Sequence, residues 1–131
     1  MLDDLRRVLT EEREIAYALL FGSTGRGAPR AGSDVDVALE LRPSAPRDPV
    51  TLGQLVARLE SAAGRPVDLV LIDEAPAPLA YRIFRDGRLL IERDHERLVR
   101  RKAQAILQYL DFKPVEERCA EGVLRAAARR G

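Results

Sequence analysis

Gly22, Ser23, Asp34, Asp36 and Asp68 are the residues whose types and spacing could do chemistry. The first four lie in LLFGSTGRGAPRAGSDVDVALEL, Leu19 to Leu41, which reads as an apolar strand, a glycine-rich turn and a second strand opening on two aspartates. Successive strand residues point to opposite faces, so Asp34 and Asp36 share one face while Val35 and Val37 share the other. Two carboxylates ~6 to 7 Å apart along a strand repel each other unless a cation sits between them. A divalent cation converts that cost into binding, and Mg²⁺ suits an all-oxygen site that keeps positions open for phosphate oxygens. Asp68, between Val67 and Leu69 in a third apolar run, would be expensive to bury without a partner. Alternation places Asp68, Val70 and Ile72 on one face, and a third strand beside the second would bring Asp68 to Asp34 and Asp36. Such a set matches two-metal phosphoryl transfer, one metal activating the nucleophile and the other holding the triphosphate and leaving group.

The turn supplies the complementary half. Gly22 lets the backbone approach a phosphate, Ser23 offers a hydroxyl and an N–H, and Gly25 and Gly27 permit a nest of backbone donors. Arg26 could pair with phosphate charge. Two familiar phosphate loops do not fit. A P-loop needs Lys-Ser/Thr after its second glycine, but Ala28 and Pro29 follow Gly27, and the dinucleotide pattern needs glycine where Arg30 stands. Other reactive residues read as structural. His95 opens a charged helix as an exposed residue, Cys119 lacks a paired His or Cys motif, and Asp73-Glu74 suit the start of a helix. Tyr81 and Tyr109 fall in helices as core or interface residues.

The elements that must position these residues can be read from periodicity. Leu2, Leu5, Val8 and Leu9 mark an amphipathic helix from Leu2 to Arg13, and Ile15 to Phe21 is a buried strand. After the turn, Asp34 to Leu41 is the second strand, and the proline-rich Arg42 to Pro49 is a surface loop. Leu52, Leu55, Val56 and Leu59 stripe a helix from Val50 to Ala63, which Gly64 would cap. Pro66 to Ile72, nearly continuous in aliphatic residues, reads as a central strand. Ala75 to Arg85 is a helix closed by Asp86-Gly87, and the more polar Arg88 to Arg93 is a strand nearer an edge. From Asp94 to about Tyr109 a long helix carries Leu98, Ile106, Leu107 and Leu110 on its apolar side. Pro114 interrupts it before a last helix from Val115 to Arg129. The sum is one α/β (α+β) domain over 1–131, a mixed sheet of about four strands flanked by helices. Its catalytic part spans about 14–93 and a C-terminal helical tail about 94–131.

With 131 residues the chain can build one core but not two. No apolar run approaches the ~18 residues of a membrane span, and the charged MLDDLRR start is unlike a secretory signal. A cytoplasmic location is therefore the default expectation, and one cysteine, which precludes an internal disulfide, fits a reducing compartment. A net charge of +1 gives no global attraction to nucleic acid. From His95 to Gly131, however, nine Lys/Arg stand against five Asp/Glu. That segment reads as a solvated face, with a partner-binding face as the second reading.

Ser23, ten intervening residues and Asp-Val-Asp give Gly-Ser-x10-Asp-x-Asp, the spacing of the DNA polymerase β-like nucleotidyltransferase superfamily, and Asp68 sits where its third carboxylate is expected. In length and short helical tail the chain resembles the minimal nucleotidyltransferases, in particular MntA-type antitoxins paired with HEPN-domain toxins. Thr24-Gly25 departs from the pattern, since many relatives carry Arg-Ala or a similar pair there. The resemblance implies a nucleotidyltransferase fold and transfer of AMP from ATP to a tyrosine hydroxyl of a cognate HEPN-type RNase toxin. Asp34, Asp36 and Asp68 would hold two Mg²⁺ ions, with Asp68 also the general base. Gly22 and Ser23 would hold the β and γ phosphates, and Arg26 would assist. Only 37 residues follow Asp94, too few for a second substrate domain, so the acceptor is expected on another protein. Two alternatives remain: an antitoxin that acts by stoichiometric binding alone, and a transferase for a small molecule such as an aminoglycoside.

Overall fold

The computed structural model describes residues 1–22 and 34–111. The helix α1 (Leu2–Glu11) precedes two antiparallel strands, β1 (Ile15–Phe21) and β2 (Val35–Leu41). The helix α2 (Pro49–Ala63) crosses over to β3 (Val67–Leu71), which pairs parallel to β2. A 3-10 turn (Ile72–Glu74), α3 (Ala77–Asp86), β4 (Arg88–Glu92) and a helix over residues 95–111, α4, complete the described chain. The sheet order is β3-β2-β1-β4, with β4 antiparallel to β1.

Local chemistry sets the ends of α2. The Asp48 carboxylate accepts hydrogen bonds from the Thr51 backbone N–H at 3.0 Å and the Thr51 hydroxyl at 2.7 Å, and Pro49 occupies the first turn, where its missing donor costs nothing. At the other end Gly64 takes the left-handed conformation, φ 68°, and its N–H reaches the Glu60 carbonyl. A parallel pair needs such a crossover, because a tight turn cannot reverse the chain twice.

Helices cover both sheet faces. On one, Leu5, Val8 and Leu9 of α1 and Leu55 and Leu59 of α2 pack on Ile15, Leu20, Val35, Val37 and Leu39. On the other, Ala80, Ile83 and Phe84 of α3 and Ala105 of α4 pack on Tyr17, Leu19 and Ala38. β1 lies between two neighbours and is buried almost throughout.

Two expectations need correction. β3 is not central; among the described residues it is one edge of the sheet. Its apolar run reflects two covered faces rather than two neighbouring strands, since Leu69 and Leu71 pack on the α1/α2 side and Val70 on the α3 side. On α4, Leu98 and Ala105 contact the core, whereas Ile106, Leu107 and Leu110 are exposed. The inward strip is instead Arg97, Arg101, Ala105 and Tyr109, four apart on the helix: both arginines reach Glu40, and Tyr109 stacks on Tyr81. The expected helix beyond Pro114 lies outside the described residues.

Candidate active site

The candidate site is built on Asp36. In register, Asp36 stands opposite Phe21 of β1 and beside Asp68 of β3. The carboxylate of Asp36 is half-buried, while Asp34, just ahead of β2, and Asp68, on the edge strand, are exposed. Asp68 therefore does not carry the burial cost its apolar neighbours suggested; its place is fixed by register. Burial raises the Asp36 pKa above the usual carboxylate range, and the nearby charges of Asp68 and then Asp34 push it in the same direction. The three sequence-predicted aspartates thus share one electrostatic site.

Gly22 closes the site from the β1 side. Its backbone is left-handed, φ 71°, a region that L side chains rarely adopt. A Cβ added there would collide with Oδ2 of Asp36. Conformation and close approach both require glycine. Ser23 and Arg26, expected to bind nucleotide, lie outside the described residues, as do Thr24, Gly25 and Gly27.

Among the described residues no three His, Cys, Asp or Glu side chains form a ready-made metal cage. The donor chemistry nevertheless fits Mg²⁺, which keeps several waters and is held by one or two carboxylates plus substrate phosphates. Burial is the first cause of the raised Asp36 pKa; the charges of Asp68 and Asp34 come second, and it is this second part that a divalent cation would offset.

Glu40, four residues along β2 on the same face as Asp36, is a functional-looking carboxylate that motif spacing passes over. Its side chain is 2% exposed. It accepts from the Tyr17 hydroxyl at 2.7 Å, from Arg101 Nε at 3.0 Å and Nη2 at 3.4 Å, and from Arg97 at 3.2 Å. Burial, then the hydrogen bond to Glu40, pushes the Tyr17 pKa far up, keeping the phenol a donor. Every acceptor lone pair has a use, so Glu40 ties α4 to the sheet rather than facing substrate. Its signal was legible: a carboxylate inside VALEL is as anomalous as Asp68 inside VDLVL.

The remaining polar residues settle into structural roles. Asp73 and Glu74 lie in the 3-10 turn rather than in α3, and both bind Arg47, at 2.8 and 3.2 Å. His95 pairs with Glu92 on the surface. Tyr81 and Tyr109 stack with ring centroids 4.0 Å apart and 4° between planes, with Arg85 over Tyr81. Cys119 lies outside the described residues.

Comparison with known proteins decides the family. The family described as Polymerase beta, Nucleotidyltransferase matches residues 3–96, which include the glycine turn and all three aspartates. The chain belongs to this nucleotidyltransferase family. Among solved structures, a toxin–antitoxin structure with AMP-PNP shares 21% identity over 94% of this chain and 98% of its own, with a TM-score of 0.78. A MntA–HepT toxin–antitoxin structure shares 19% identity over 94% and 96%, TM-score 0.72. A third, the tri-AMPylated HEPN toxin of Shewanella oneidensis in complex with its MNT antitoxin, shares 19% identity over 95% and 99%, TM-score 0.71. At these identities the likeness is one of fold. No curated protein matches the sequence significantly. Among the described residues of this nucleotidyltransferase no helix is long and apolar enough to cross a membrane.

Proposed function

We propose that this nucleotidyltransferase is an antitoxin that transfers AMP from ATP to a tyrosine hydroxyl of a cognate HEPN-type RNase toxin, and so neutralises it. The observation that carries the reading is the convergence of Asp36, Asp68 and Gly22, with Asp34 adjacent, in a chain of this family. In the reaction the acceptor oxygen bonds to the α-phosphorus, the bond from that phosphorus to the bridging oxygen of the β-phosphate breaks, and pyrophosphate leaves. Asp68, exposed on the edge strand where an incoming group can reach it, takes the hydroxyl proton. Asp34, Asp36 and Asp68 would hold Mg²⁺, which supplies charge stabilisation at the phosphates and lowers the pKa of the attacking hydroxyl. Backbone at Gly22 approaches the phosphates because nothing projects from its Cα, and Ser23 and Arg26 add donors to the β and γ phosphates.

Two features favour a protein acceptor. Val99, Ile106, Leu107 and Leu110 of α4 are exposed apolar residues that a protein partner could cover. The solved structures of the same fold include an ATP-analogue complex and an AMPylated toxin complex.

The test is to incubate the protein with ATP, Mg²⁺ and its neighbour-encoded partner and weigh the partner by intact-mass spectrometry. A mass gain of one adenylyl group or a multiple of it, with loss of RNase activity, is the expected result. A partner that is inhibited but unmodified would establish neutralisation by binding alone and overturn the enzymatic reading.

A further inference from the structure

The two edges of the sheet are finished differently. On β4 the Leu90 carbonyl accepts from Arg6 Nε at 3.2 Å, and a register shift between Ala18 and Leu19 interrupts the pairing behind it. Both features blunt an edge against a further strand. On β3 the backbone groups of successive residues alternate between β2 and the open side. The Pro66 carbonyl accepts the Val35 N–H at 2.9 Å, which turns Pro66, Asp68 and Val70 towards β2. The Val67 N–H faces away and reaches the Glu60 carboxylate at 3.0 Å. Beyond it the Val67 carbonyl, both backbone groups of Leu69 and the Leu71 N–H point outward, and among the described residues none bonds them. Side chains alternate in the same way. Leu69 and Leu71 turn to the α1/α2 layer, and Asp68 shares the other face with Val70. The exposed Asp68 therefore stands beside the open edge, on the face that carries Asp36.

We infer that the acceptor reaches the site as an extended segment of the partner protein, laid along β3 as an added strand. The inference rests on the nucleotidyl-transfer reading and adds to it how the acceptor is held. Open N–H and C=O groups on every second residue match a strand, whereas a helix keeps its own backbone groups bonded internally. One strand spacing of ~4.8 Å sets the added segment next to Asp68. A side chain opposite Asp68 on the same face then projects towards the row of aspartates. A neutral tyrosine hydroxyl is admitted there, and a carboxylate is repelled. Main-chain pairing holds the segment whatever its side chains, and the face of Asp68 selects the hydroxyl.

Hydrogen exchange of single amides, read by NMR, tests this on the unaltered protein with saturating neighbour-encoded partner and no ATP. The Leu69 and Leu71 amides should exchange rapidly in the free protein and about tenfold more slowly, or slower still, with the partner. Asp68 and Val70, whose amides face β2, should be the slower pair in the free protein. Leu69→Pro removes one outward N–H, spares the β2 ladder and falls where an edge strand accepts proline. Its KM for the partner should rise about tenfold, with its KM for ATP that of the parent. Should this variant fail to fold, the exchange measurement decides alone. Edge amides that stay unprotected while the parent adenylylates the partner would overturn the added strand and leave the transfer reading standing. Protection of both amides with no adenylylation on adding ATP and Mg²⁺ would support a partner strand on this edge and overturn the transfer reading. Protection present without the partner and rising with protein concentration would seat a second copy on the edge and overturn the inference.

Discussion

Asp36 is the residue on which burial, repulsion and chemistry meet. Its folded pKa lies above its unfolded value, because burial and then the charges of Asp68 and Asp34 disfavour the ionised form. The folded protein thus binds more protons than the unfolded one between those two values, and stability falls as pH rises through that window. Without divalent cations, Asp36→Asn should melt at a higher temperature than the parent at pH 7, and the two should converge below the unfolded carboxylate value; thermal melts across pH measure this. On the proposed reading Mg²⁺ would bind the folded site and not the unfolded chain, so it should raise the parent's melting temperature and leave Asp36→Asn unmoved. Gly22 is the second residue that admits no substitute. Gly22→Ala must accept a left-handed backbone and a collision with Asp36, costing about 2 kcal/mol in denaturant unfolding. Both residues were legible from the Gly-Ser-x10-Asp-x-Asp spacing. The mutual orientation of Gly22 and Asp36 was not, because a close approach between two strands is not a property of either one.

At the scale of elements, most boundaries follow from local chemistry. The apolar run of β1, the alternation of β2 and the leucine stripe with its Gly64 stop place β1, β2 and α2 within a residue or so of their reading from sequence; the Asp48-Pro49 start of α2 reads from sequence as loop. Failures occur where a partner far along the chain decides. The apolar run of β3 reports covered faces and carries no information about how many strands flank it. The inner face of α4 is chosen by Glu40, some 57 residues from Arg97, and by Tyr81, so an apolar stripe alone selects the wrong side. Removing the Glu40 charge leaves Arg97 and Arg101 oriented at a group that no longer balances them. Glu40→Gln should cost about 3 kcal/mol, somewhat less than a fully buried pair because both arginines are partly exposed. The check is the urea midpoint, and loss of protection in amide exchange should concentrate in α4. A variant as stable as the parent, with α4 protected, would show that the ion cluster does not hold the helix.

For the whole molecule, the sheet order gives the reaction a direction. Across the sheet stand an exposed Asp68 on one edge, Asp36 next to it and then Gly22; in the proposed reaction they would serve as acceptor side, metal centre and phosphate side in that order. Helices close both faces behind this row, while the edge at β3 stays accessible to another protein among the described residues. The central claim is that this row of carboxylates performs nucleotidyl transfer. Its most direct test is transfer of radiolabelled AMP from ATP to the partner protein by the parent, Asp36→Asn and Asp68→Asn, each shown to be folded. Label on the partner with the parent, and a loss of about a thousandfold or more with either variant, is the predicted result. Undiminished transfer by a folded Asp36→Asn would contradict it.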